Sequence, residues 1–98
     1  MPKPLEFRAV LIEWRGPAPY VYAPIPPEHV EGIRRASRAI SYGWGVIPVE
    51  ATIAAVRFTT SLFPKDEGYL LPVKLDIRRR TGITVGDTVE VTMSLQPR

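Results

Sequence analysis

The chain contains no cysteine and a single histidine, His29, so neither disulfides nor thiolate zinc sites hold it together. Its stability has to come from apolar burial and backbone pairing, and the absence of cysteine fits a reducing compartment. Long hydrophobic runs are missing too. The longest, Ala51 to Val56 with Thr52 inside it, falls far short of the ~20 residues with which a helix spans a bilayer, so no membrane role is expected. The segment Met1-Pro2-Lys3-Pro4-Leu5-Glu6 brings a charge and two prolines where a secretory signal would place apolar residues, and a cytoplasmic location is expected. No glycine-rich phosphate loop is present either: Gly43-Trp44-Gly45 lacks the third glycine and the preceding strand of a dinucleotide fingerprint.

At 98 residues the chain has room for one core and not for two, which makes it a single domain. Its net charge is +3, a small basic excess that permits an acidic partner such as a nucleic acid without demanding one. Eleven prolines and seven glycines break it into short elements.

Alternation predicts a first strand from Phe7 to Trp14, with Val10, Ile12 and Trp14 sharing one side, ended by Arg15-Gly16-Pro17. Tyr20-Val21-Tyr22-Ala23 forms a short second strand, stopped where Pro24-Ile25-Pro26-Pro27 lacks backbone donors. Pro27 suits a first helical position, and Val30, Ile33, Ala36 and Ile40 recur at helical spacing, so a helix covers Pro27 to Ile40, with Glu31 placed to pair with Arg35. A third strand begins at Ile47, with Pro48 marking an edge or a strand start, and its alternation carries on through Phe58, Thr60 and Leu62. Phe63 to Gly68 reads as a polar loop leading to Tyr69-Leu70-Leu71, a β-hairpin that Pro72 interrupts. A two-turn helix fits between Val73 and Thr81, with Asp76 near Arg79 and Arg80 and Gly82 as its stop. Thr88 to Leu95 alternates strictly and gives the last strand.

The order of events repeats. Tyr20 to Ile53 and Tyr69 to Leu95 each give a short Tyr-led strand, proline, an arginine-bearing helix, glycine and an alternating strand, and a Phe-led strand precedes each. An internal duplication follows, with halves at about 5–56 and 57–96, and neither half alone has the apolar surface to stand by itself. The expected fold is mainly β: a double-split, pseudo-two-fold β-barrel of six or seven strands with two short helices.

Gly68-Tyr69-Leu70-Leu71-Pro72-Val73-Lys74, the arginines at 78 to 80, Gly82-Ile83 and the run from Gly86-Asp87 to Val91 resemble the swapped-hairpin AbrB/MazE-like DNA-binding module. Over nearly the whole chain the sequence resembles domain of unknown function 1905. That likeness is carried by the Phe7 strand, Ile25-Pro26, Thr60 to Pro64, Gly68-Tyr69, Leu71 to Lys74, Ile77-Arg78, Gly82-Ile83 and Gly86-Asp87. The resemblance implies a double-split barrel with both halves in one chain, and it implies no activity.

Function has to come from side chains. Arg34, Arg35 and Arg38 in the first helix, with Lys74, Arg78, Arg79 and Arg80 around the second, occupy matching places in the repeat and form a candidate nucleic-acid or anion surface, although Glu28, Glu31 and Asp76 lie close enough to neutralise it. Tyr42 and Trp44 form a candidate aromatic patch. His29 has no second ligand beside it, Asp66 and Glu67 read as a solvated turn, and Thr59, Thr60 and Ser61 have no activating base. Gly86-Asp87 reads as a structural turn. No catalytic constellation, cofactor or metal site is expected. The sequence therefore points to a non-catalytic binding or interaction domain of unassigned molecular function, with AbrB-like DNA binding as the alternative and a small-ligand enzyme as a third. Its partner is a protein or a nucleic acid, and it acts as a monomer or small homo-oligomer.

Overall fold

In a computed structural model, residues 4–14, 20–40 and 47–96 are described, the side chains of 37–40 excepted. Strand β1, Leu5–Val10, turns Phe7 and Ala9 inward and pairs antiparallel with the last strand. The ladder then stops for one residue. Leu11 is buried, and its amide donates to the Asp87 carbonyl while its carbonyl accepts from the Gly86 amide, each at 2.9 Å. On its far side β2, Ile12–Trp14, pairs with β3, Tyr20–Pro24.

After β3 comes α1, Pro27–Ile40, then β4, Ile47–Ile53, β5, Val56–Lys65, β6, Gly68–Pro72, α2, Leu75–Thr81, and β7, Thr88–Leu95. All pairings are antiparallel, and the order across the sheet is β1-β7-β4-β5-β6-β3-β2. The two end strands are consecutive in the chain and joined through Leu11 alone, so the sheet curls until its ends meet at that residue.

Strand β5 repeats this construction in reverse: Val56 to Leu62 pair with β4, and Phe63 to Lys65 pair with β6. Leu62, fully buried at the switch, corresponds to Leu11. The correspondence extends to hydrogen bonds, since Ile25 N donates to Tyr69 O at 3.0 Å and Val73 N donates to Val21 O at 2.9 Å, two bonds that exchange under the same pseudo-two-fold operation. Around it pack Val49, Ala51 and Ile53 of β4 against Val89, Val91 and Met93 of β7, with Ile33 of α1 and Ile77 of α2 also buried in the core. No charged side chain among the described residues is buried. Burial of each large aliphatic side chain contributes about 1.5–3 kcal/mol, which is what a cysteine-free chain of this size relies on. No helix is long and apolar enough to cross a membrane among the described residues.

Four local expectations change. The single strand expected from Phe7 to Trp14 is two, broken at Leu11; Val10, Ile12 and Trp14 do share one side, and it faces outward, 51%, 37% and 46% exposed, because Phe7, Ala9 and Leu11 take the inward places. The alternation from Ile47 to Leu62 is not one strand but a hairpin: Ala54 and Ala55 hold φ of 50° and 66°, the paired left-handed conformation of a tight two-residue turn. The loop after β5 shrinks to Asp66-Glu67, with Phe63 to Lys65 in the ladder, since Pro64 sits where its missing amide costs the short β5–β6 pairing little. Glu31 pairs with Arg34, at 3.1 Å, one position short of Arg35. Pro48 stands at the start of β4 rather than on a sheet edge, with its carbonyl accepting from Gln96 N at 2.8 Å.

Candidate binding face

Strand alternation puts Ile12 and Trp14 of β2, Tyr20 and Tyr22 of β3, Leu70 and Pro72 of β6, and Phe63 and Lys65 of β5 on one face, through the pairs Ile12–Tyr22, Trp14–Tyr20, Tyr22–Pro72 and Phe63–Leu70 and the two-residue period along each strand. The opposite face of the same strands carries Val21, Ala23 and Leu71 into the core. An outward face of this composition is unusual: Trp14, Tyr20 and Phe63 remain 46%, 39% and 46% exposed while Tyr22 lies nearly buried beneath them.

The rings are ordered by one another. Tyr20 and Tyr22 stack with centroids 5.6 Å apart, and Phe63 meets Tyr22 edge-on at 6.0 Å, the two arrangements that the ring quadrupole favours. The Lys65 ammonium sits 3.8 Å from the centre of the Trp14 ring, a cation–π contact between the two halves of the chain. Beside these rings lies an open groove of about 780 Å³, walled by Tyr20, Tyr22, Phe63, Pro48 and Pro72, with Thr59, Thr60 and Ser61 along β5 and Lys74 at its end. It continues past Tyr20 and Lys74 to Leu75, Asp76 and Arg78 of α2. Burial and the neighbouring Tyr20 hydroxyl both raise the Tyr22 pKa above its ordinary 10.0, so the phenol stays neutral and available as a donor or acceptor at neutral pH.

The basic residues do not form one surface of equals. Arg34 is held in place: Nη1 donates to Glu31 at 3.1 Å and Nη2 to the Glu67 carbonyl at 2.9 Å, fastening α1 to the β5–β6 turn. Arg78 Nε donates to the Val73 carbonyl at 3.2 Å, which ties α2 to the chain entering it. Arg35, Lys74, Arg79 and Arg80 are exposed. Arg38 lies in α1, but its side chain is outside the described residues, as are Tyr42, Trp44 and the glycines beside them.

Other candidates resolve into structure. The His29 ring packs 6.0 Å from that of Phe7. Asp66 takes φ of 55° in its turn, and both it and Glu67 are exposed, in a cleft shared with Glu31, Arg34 and Lys65. Asp87 Oδ2 accepts from the Thr84 amide at 2.9 Å, and Gly86 adopts φ of 93°, so this pair shapes the turn that holds Leu11. No cluster of three metal-ligating side chains occurs among the described residues. Thr59, Thr60 and Ser61 enter the site as groove lining, whereas Trp14, Tyr20, Tyr22 and Phe63 enter it without having been singled out as candidates. Tyr20 and Tyr22, two residues apart in a short β-prone run, were the available clue.

Among the described residues, seven antiparallel strands in a sheet curled as a half-barrel, two short helices and an outward aromatic groove define a small mainly β domain. The family model described as Domain of unknown function (DUF1905) matches residues 7–93, and the chain belongs to that family. That description assigns no activity. No curated protein matches the chain.

Proposed function

We propose that this chain is a non-catalytic binding domain whose contact surface is the aromatic face of β2, β3, β5 and β6. The observation that carries the reading is the exposure of Trp14, Tyr20 and Phe63 on one face, with Tyr20 and Phe63 lining an open groove. Exposed rings fixed by their neighbours lose little side-chain freedom on binding, which favours them as anchors. The described groove lining offers hydroxyls and one ammonium with no base beside a nucleophile, which favours recognition as its role. A cytoplasmic location belongs to the same reading and is supported by the cysteine-free sequence.

The test is fragment mapping by amide NMR with indole, phenol and adenosine at millimolar concentration. Shifts gathered at Tyr20, Tyr22, Phe63 and Lys74 support the reading; shifts gathered instead in the cleft of Glu31, Asp66 and Glu67, or none anywhere, sink it.

The exposed consecutive pair Arg79-Arg80 at the end of α2 favours a second reading, AbrB-like binding of duplex DNA through Lys74, Arg79 and Arg80 with Arg35. Replacing Arg79 and Arg80 by alanine should then weaken duplex binding and flatten its salt dependence. An unchanged salt slope would falsify it.

A further inference from the structure

Taking the aromatic face as the binding surface, we infer that its occupant is single-stranded nucleic acid. Charge narrows the choice first. Among the described residues, Lys74 is the one charged residue that lines the groove, and no carboxylate does. Where the groove runs on toward α2, Asp76 and Arg78 line it together, and outside the groove Lys65 holds its ammonium over Trp14, beside the cleft of Glu31, Asp66 and Glu67. The partner is therefore anionic.

The rings narrow it further. Trp14, Tyr20 and Phe63 expose aromatic surface to solvent, and stacking on such surface is available to any unpaired base because every base has a π-face. A duplex keeps its bases stacked on one another and presents only its backbone and grooves, so rings outside a sheet select for the unpaired strand. A proline-rich peptide would use the rings but leave Lys74 and Lys65 without anionic partners. The outward hydroxyls of Thr59 and Ser61 complete the fit, as donors to base edges and phosphate oxygens.

The experiment titrates the whole chain into a labelled thymidine strand of about a dozen nucleotides, read by fluorescence anisotropy at about 50 and 200 mM salt. Two phosphate contacts, one at Lys65 and one at Lys74, lower affinity about sevenfold across that range, and Lys74→Ala reduces the loss to about threefold. Tyr20→Ala and Phe63→Ala each weaken binding by about fivefold or more while leaving the salt slope unchanged, and Phe63→Tyr retains affinity. Thermal melting of each variant separates lost contacts from lost folding. No binding at the lower salt, ring variants that bind like the parent, or stronger competition by duplex DNA or by an acidic peptide overturns the inference. If the strand fails while aromatic fragments still shift Tyr20 and Phe63, this inference falls and the binding-face reading stands; silence in both removes both.

Discussion

The turn between β4 and β5 is built from the wrong residues for its shape, which makes it the sharpest place to test the fold. Ala54 and Ala55 hold φ of 50° and 66°, where the Cβ crowds the following carbonyl. That conformation costs a residue with a side chain about 1–2 kcal/mol, whereas asparagine tolerates it and glycine is at ease there. Replacing Ala54 by Asn and Ala55 by Gly relieves both positions. Against this stands the greater freedom of glycine in the unfolded chain, about 0.4–1 kcal/mol. The net expectation is a gain of about 1–2 kcal/mol. For a domain of this length, with an unfolding entropy near 2 cal/mol/K per residue, that raises Tm by about 5–10 °C. Scanning calorimetry of the double variant and the two single variants measures it, with Ala55→Val, a β-branched residue in the same conformation, expected to melt lower than the parent. An unchanged or lower Tm in the double variant would show that the turn is not of this type, and the pairing of Ile53 with Val56 would have to be redrawn.

Gly82 closes α2 at φ of 75° with open space where a Cβ would point, so Gly82→Ala has no clash to relieve and should lower stability by about 1 kcal/mol from conformation alone, read as a shift in the urea midpoint. Leu62→Ala removes a fully buried side chain at the point where β5 changes partner and should cost about 2–5 kcal/mol, with amide exchange quickening in β4 and β6 together. The raised pKa of Tyr22 has a definite sign: the folded state holds the phenol neutral, so its contribution is fully present below pH 10 and is lost as pH rises through the folded value, where the unfolded chain has already ionised. Stability should fall above about pH 10, and Tyr22→Phe should make that decline shallower in alkaline urea titrations, with an unaltered slope counting against the buried phenol.

The strands that alternate against polar residues were legible from sequence. Thr88 to Leu95 and the helix from Pro27 to Ile40 sit where periodicity put them, and Gly82 stops α2 as expected. Where both faces of a strand are apolar, alternation loses its meaning. Phe7, Ala9 and Leu11 compete with Val10, Ile12 and Trp14 for the inward side, and only the position of Leu11 between two ladders decides the contest. The Ala54-Ala55 hairpin escaped notice for a related reason, since neither residue carries turn chemistry and the apolar period runs through it unbroken. The aromatic groove was hidden by both effects: its rings come from β2, β3 and β5, brought onto one face by pairings that no local spacing reveals. Arginine number and spacing do not reveal that Arg34 and Arg78 donate to the backbone carbonyls of Glu67 and Val73, bonds that depend on tertiary placement.

The two halves share a frame and not a surface. The operation that carries Leu11 onto Leu62 also carries Ile12 onto Phe63, Trp14 onto Lys65 and Tyr20 onto Gly68, so a ring in one half meets a cation, or a glycine beside Val30, in the other. A polymer with distinct ends, laid across such a face, encounters a different sequence of partners when reversed. Near-symmetry of the scaffold thus leaves the aromatic face polar in the directional sense, and under the proposed role a strand seated on it would have one preferred orientation.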